Sequence, residues 1–141
     1  MTAFTLIEAF NPPHLQQLFD LFKKMWWSEG RTDEDFITLL NNSLSIGIIE
    51  TQNQLLVGYA RVLTDEVKYA YIFDVMVEEK YRQQGLGRLL METILTHPKL
   101  DRIVNFELTC LPEMMPFYQQ FNFRQDFGKV VAMRYRRSNI A

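Results

Sequence analysis

A single cysteine, Cys110, and two histidines, His14 and His97, are all that the chain offers toward disulfides or imidazole ligands. One thiol excludes an intramolecular disulfide and suits a reducing compartment. The histidines stand far apart, and no His, Cys or carboxylate cluster has metal-ligand spacing, so no metal site is expected. Neither sign of charge dominates. The net charge is −2, which implies no nucleic-acid footprint. Long apolar runs are lacking, and the start, Met1-Thr2-Ala3-Phe4-Thr5, is not basic. Neither a signal peptide nor a membrane span is expected, and the reading is cytoplasmic. No stretch reads as linker, repeat or low-complexity tract, and 141 residues suit one domain over 1–141 with a single core.

What the chain has in quantity is aromatic. Aromatics reach 13%, with eleven Phe, which serves either a Phe-rich core or an aromatic acceptor pocket. Thr5 to Phe10 reads as a first strand, and Asn11-Pro12-Pro13 opens a helix, since proline fits a first turn. Leu15, Leu18, Phe19, Phe22, Met25 and Trp26 follow at helical spacing. Gly30 ends that segment. Thr32 reads as an N-cap with Asp33, Glu34 and Asp35 behind it. Ser45 to Thr51 and Leu55 to Thr64 form a hairpin. Tyr69 to Val77 is apolar on both alternating faces apart from Asp74, which predicts a central strand covered on both sides. A helix runs from Gly85 to the His97-Pro98 break. Arg102 to Cys110 reads as a strand that ends on a buried structural thiol. Met114 to Phe121 reads as a short helix, and 123–127 with 129–136 as closing strands.

The most informative stretch is Arg82-Gln83-Gln84-Gly85-Leu86-Gly87, between a strand and a helix start. The first N–H groups of a helix have no partner inside it, and the helix dipole adds partial positive charge there. A phosphate can sit on them, and glycine removes the Cβ atoms that would hold it away. The dinucleotide fingerprint fails at Leu90, where a third glycine belongs, and the triphosphate loop fails at Gly87-Arg88-Leu89.

Arg-x-x-Gly-x-Gly in this setting resembles the coenzyme A pyrophosphate loop of the GNAT acetyltransferase superfamily. The family pattern Val-x-Pro-x-Tyr before the loop is met here by Val77 and Tyr81, with Glu79 in place of proline. A Tyr-x-x-x-Gly-Phe signature is met by Tyr118 and Phe123, with Asn122 in the glycine position. Asparagine is the next best residue for a left-handed helix end. Gly58 to Val62 and Phe73-Asp74-Val75 look like members of one group of small bacterial-type acetyltransferases. The resemblance implies a mixed α/β GNAT fold of order β-α-α-β-β-β-α-β-α-β-β, and acetyl-CoA as co-substrate. By resemblance alone, a homodimer is admitted.

It also implies roles. Backbone N–H groups across Gln83, Gln84, Gly85, Leu86, Gly87 and Arg88 would seat the pyrophosphate. Arg82 and Arg88 would add positive charge, or serve as plain surface cations. The backbone of Val75, Met76 and Val77 would lie beside the pantetheine arm, with one N–H for the thioester oxygen. An alkylamine has a pKa near ~10.4 and must lose a proton before it attacks. Tyr118 is the candidate acid for the leaving thiolate, unless it is a packed aromatic. Asp74 is the candidate base, directly or through water, unless it is a structural carboxylate capping backbone N–H groups or paired with Arg61; Glu107 is the weaker candidate. Trp26, Trp27 and the acidic run Asp33-Glu34-Asp35 border the implied acceptor side, with core packing and helix capping as their alternative roles. Leu111 stands where family members often carry a cofactor-binding asparagine, and Met114 and Met115 where they carry polar residues. The activity implied is N-acetylation of a small primary amine. A peptide amine, or a non-catalytic CoA-binding domain, is the alternative.

Overall fold

A computed structural model describes residues 2–137. The chain divides into two compact units, 1–109 and 110–141, of which residue 1 and residues 138–141 lie outside the described part.

The first unit is a five-stranded sheet in the order β1-β2-β3-β4-β5. Its strands are β1 (Phe4–Ile7), β2 (Leu44–Glu50), β3 (Leu55–Thr64), β4 (Tyr69–Val77) and β5 (Asn105–Glu107). The pairs β1–β2, β2–β3 and β3–β4 are antiparallel, while β4–β5 is parallel. The α-helices among the described residues of this unit are α1 (Pro12–Lys23), α2 (Asp33–Asn41) and α3 (Leu86–Leu95).

The helix starts follow from their capping residues. Asn11 accepts from the His14 N–H ahead of the α1 prolines. Thr32 and Asp35 form a reciprocal capping box on α2, at 3.1 and 2.8 Å. Asp33 also pairs with Lys23 at 3.1 Å. Asp33 and Asp35 therefore serve the start of α2. The apolar stripes of α1 and α2 close on the sheet through Leu18, Phe19, Phe22, Phe36, Tyr59 and Met76. Phe22 stacks on Phe36 at 4.6 Å and meets Tyr59 edge-on at 5.4 Å. Burying each such side chain contributes roughly 1.5–3 kcal/mol. These phenylalanines are core.

The strand expected over Arg102–Cys110 shrinks to Asn105–Glu107, paired only with Tyr69 to Tyr71. Cys110 is exposed and outside any strand, against the expectation of a buried thiol. The outward face of β4 is only half-buried at Tyr71, Phe73, Val75 and Val77. The pairing with β5 stops at Tyr71, so β5 does not extend alongside the rest of the strand.

The second unit holds a 3-10 turn, Pro112–Met114, and α4 (Met115–Gln119). Asn122 adopts φ +70°, and the Phe123 N–H returns to the Tyr118 carbonyl at 3.4 Å while Asn122 N–H reaches that of Gln119 at 3.0 Å. This is a Schellman stop with asparagine in the glycine position. The closing strands expected over 123–127 and 129–136 are absent: residues 123–137 hold no strand. Gly128, at φ +68° beside Asp126, turns the chain, and Val130, Val131, Met133 and Tyr135 remain exposed. Alternating apolar residues make a strand only where a neighbouring strand supplies hydrogen bonds.

Candidate active site

The loop between β4 and α3 is pinned at several points. The Glu78 N–H reaches the Val57 carbonyl at 2.8 Å, and Lys24 pairs with Glu78 at 2.6 Å. The Tyr81 hydroxyl donates to buried Glu50 at 2.6 Å, and this bond raises the tyrosine pKa. Arg82 Nε turns back to the Val77 carbonyl at 3.1 Å, so part of its guanidinium holds the loop. Arg88 pairs along its helix with Glu92 at 3.2 Å.

After Arg82 the backbone turns left-handed at Gln83 (φ +65°) and at Gly85 (φ +80°). Gly85 is the N-cap of α3. A Cβ built there would meet nothing within 4 Å, so it is the φ angle and not crowding that demands glycine. Side chains cap α1 and α2, but none caps α3, and its first turn carries no acidic residue. An uncapped ten-residue helix behind an open glycine turn leaves its leading N–H groups for an anion.

β4 leads into this loop with two irregularities. Its pairing with β5 ends at Tyr71, so along Ile72 to Val77 alternate residues offer N–H and C=O groups on that edge. Its register with β3 slips between Tyr59↔Met76 and Arg61↔Phe73, a bulge that contains Asp74. Asp74 has φ +54°, rare for a residue with a Cβ. Its side chain is 4% exposed, and Oδ2 accepts from Arg61 Nε at 2.6 Å. Arg61 lies over the Phe73 ring at 4.7 Å and donates to Ser43 at 3.2 Å. Arg31, from the α1–α2 connection, brings a second guanidinium to 3.6 Å from the same oxygen. The Asp74–Arg61 pair named as one alternative is thus present. Arg31 was missed, because nothing in its sequence neighbourhood marks it.

Elsewhere in this unit, Glu107 is half-buried on β5 opposite Tyr71. Trp26 is exposed, while Trp27 packs against the core with a buried indole N–H that has no hydrogen-bond partner among the described residues. A hollow of about 300 Å³ near Asn42, Ser43 and Thr64 lies at the opposite end of β3 from the loop.

In the second unit Tyr118 is buried, with Phe117 and Phe123 edge-on at 5.0 and 6.1 Å. Burial pushes its hydroxyl pKa up to about 12, with Cys110 a lesser cause.

The free β4 edge, the glycine turn and the uncapped helix together make a site suited to an extended ligand that carries an anion. The chain matches the model of the acetyltransferase (GNAT) family over residues 7–123 and belongs to that family. The uncharacterized N-acetyltransferase ycf52 of Pyropia yezoensis is 27% identical over 122 residues, 85% of this chain and 70% of that protein. GCN5-related N-acetyltransferase 2, chloroplastic, of Arabidopsis thaliana is 35% identical over 75 residues, 53% of this chain and 29% of that protein. A putative GNAT acetyltransferase from Xanthomonas campestris pv. campestris superposes with a TM-score of 0.81 at 22% identity, covering 96% of this chain and 94% of that one. Solved structures of the same fold include an Arabidopsis glucosamine-6-phosphate N-acetyltransferase (TM-score 0.70, 18% identity, 95% of this chain and 98% of that one).

Proposed function

We propose that this chain moves an acetyl group from acetyl-CoA to the primary amine of a small molecule, by direct attack in a ternary complex. The observation that carries the reading is the uncapped start of α3 behind Gly85, next to the unpaired edge of β4. Backbone N–H groups from Gln83 to Arg88 hold the pyrophosphate, and Arg82 adds charge. The backbone of Val75, Met76 and Val77 aligns the pantetheine arm and offers an N–H to the thioester oxygen.

Acetyl-CoA supplies the activated acyl carbon. The amine nitrogen bonds to that carbon, the C–S bond breaks, and its electron pair leaves on sulfur. One proton leaves the amine and one reaches the thiolate, so an amide and a thiol result. Tyr118 gives the proton to the thiolate. Its hydroxyl, pushed by burial further above neutrality to a pKa of about 12, is protonated at neutral pH, as an acid must be. Asp74 takes the amine proton, directly or through water; its bond to Arg61 is the competing role. A reducing compartment, the cytoplasm first, suits the lone thiol.

Acetyl-CoA should raise the melting temperature, because it binds the folded chain only. Gly87→Trp should abolish that rise by filling the phosphate seat. An undiminished rise in the variant places the cofactor elsewhere. Thiol release across an amine panel then separates an enzyme from a CoA-binding domain, which would show the rise but no amine-dependent release.

A further inference from the structure

Asp74 carries more positive charge than it can neutralise. Arg61 satisfies it at 2.6 Å, in a pair whose side chains are 6% and 4% exposed. That pair is neutral in charge. Arg31 then approaches the same oxygen at 3.6 Å, too long for a hydrogen bond, and its other contact is the neutral Ser28 hydroxyl at 3.4 Å. A guanidinium has five N–H donors. Arg31 is 27% exposed, so it is held largely out of water yet remains reachable. A charge in such a place is stabilised only when it is paired. The acids of the neighbouring segment are committed: Asp33 to Lys23, and Asp35 to the α2 cap. Glu29 and Glu34 are exposed. The surplus charge sits at the β4 bulge, beside Asp74 and one residue before Val75.

Resting on the acetyltransferase reading, we infer that Arg31 is the docking cation for an oxyanion on the acceptor, so that the substrate is an amine carrying its own carboxylate or phosphate. A planar guanidinium grips either group through two parallel N–H bonds. An amino acid or an amino sugar phosphate offsets its ammonium charge with its own anion. A polyamine would bring only further positive charge to two arginines, and is disfavoured.

The test compares matched acceptors. One pair is an amino acid against its α-carboxamide; the other is an amino sugar phosphate against the unphosphorylated sugar. The expected result is a preference for the anionic member of at least one pair by roughly 10–100-fold in kcat/KM, as a charged hydrogen-bonded contact provides. The pair that shows it tells carboxylate from phosphate. Arg31→Ala should shrink the preference to within about threefold, chiefly through KM. Arg31→Lys should keep part of it, since the charge stays while the fork is lost. The acetyl-CoA melting shift, measured on each variant, certifies folding and cofactor binding. Equal rates on both members of both pairs overturn the inference, as does a preference that survives Arg31→Ala. Absence of the acetyl-CoA shift from the unaltered protein would instead sink the acetyltransferase reading, and this inference with it.

Discussion

Tyr118 is a phenol whose pKa, above neutrality in any case, is raised further by burial. A phenol with a pKa of about 12 stays neutral through the working range, and the same burial weakens it as an acid. Tyr118→Phe retains the ring and both edge-on contacts, so stability should change little. Both kcat and kcat/KM should fall at least roughly a hundredfold, the lower bound for general acid catalysis. A single-turnover drop below about threefold would return Tyr118 to packing. Asp74 poses the opposite case, since its carboxylate is already engaged. Asp74→Asn leaves the buried Arg61 charge without its partner, and about 3 kcal/mol of stability should be lost, visible in the denaturant midpoint. The base role is read separately, from rates taken where the variant is folded. A single-turnover fall of at least roughly a hundredfold with acetyl-CoA binding retained supports it, and a fall below about threefold takes Asp74 out of the proton path.

At the scale of elements, the loop depends on one backbone angle. Gly85→Ala puts a Cβ into open space but at φ +80°, so its effect is strain alone. A loss of about 1–2 kcal/mol is expected, together with a smaller acetyl-CoA melting shift. A variant as stable as the parent would mean the turn relaxes to another conformation. The elements legible in the sequence were the ones with local causes. β4 matched its expected span because nine residues apolar on both faces, Asp74 aside, left little choice, and α2 announced itself by Thr32 and the acids behind it. Asn122, standing in the glycine position of the family signature, has the left-handed φ expected there. Pairing was not legible. The run over Arg102–Cys110 looked like a long strand, yet β4 offers it a partner only as far as Tyr71. The run over 129–136 is apolar enough for a strand, but among the described residues no strand pairs with it. Within the site, the lone carboxylate in an apolar strand drew attention to Asp74, and its pair with Arg61, one of the two roles it was read for, is present. That Arg31 would meet it from 43 positions upstream depends on how α1 and α2 close, which no local signal carries.

For the whole molecule, the buried phenols tie stability to alkaline pH. Tyr59 is fully buried, bonded to Ser45 at 2.7 Å, and desolvation lifts its pKa far above the ordinary value near ~10. In the unfolded chain it ionises near pH 10; in the folded chain it does not. Above that pH the folded state holds more protons than the unfolded state, so stability falls as pH rises. The contribution is fully present below pH 10 and is lost progressively above it, at up to about 1.4 kcal/mol per pH unit for this group. Tyr59→Phe removes the titration and leaves the Ser45 hydroxyl without its partner, a cost of roughly 1–3 kcal/mol at neutral pH. Denaturant unfolding at pH 8, 9, 10 and 11 should therefore give two curves that approach one another as pH rises, because lysines and the remaining tyrosines titrate equally in both proteins. Parallel curves across the series would mean that Tyr59 ionises in the folded chain as readily as in water, which its packing between Phe10 and Phe22 opposes.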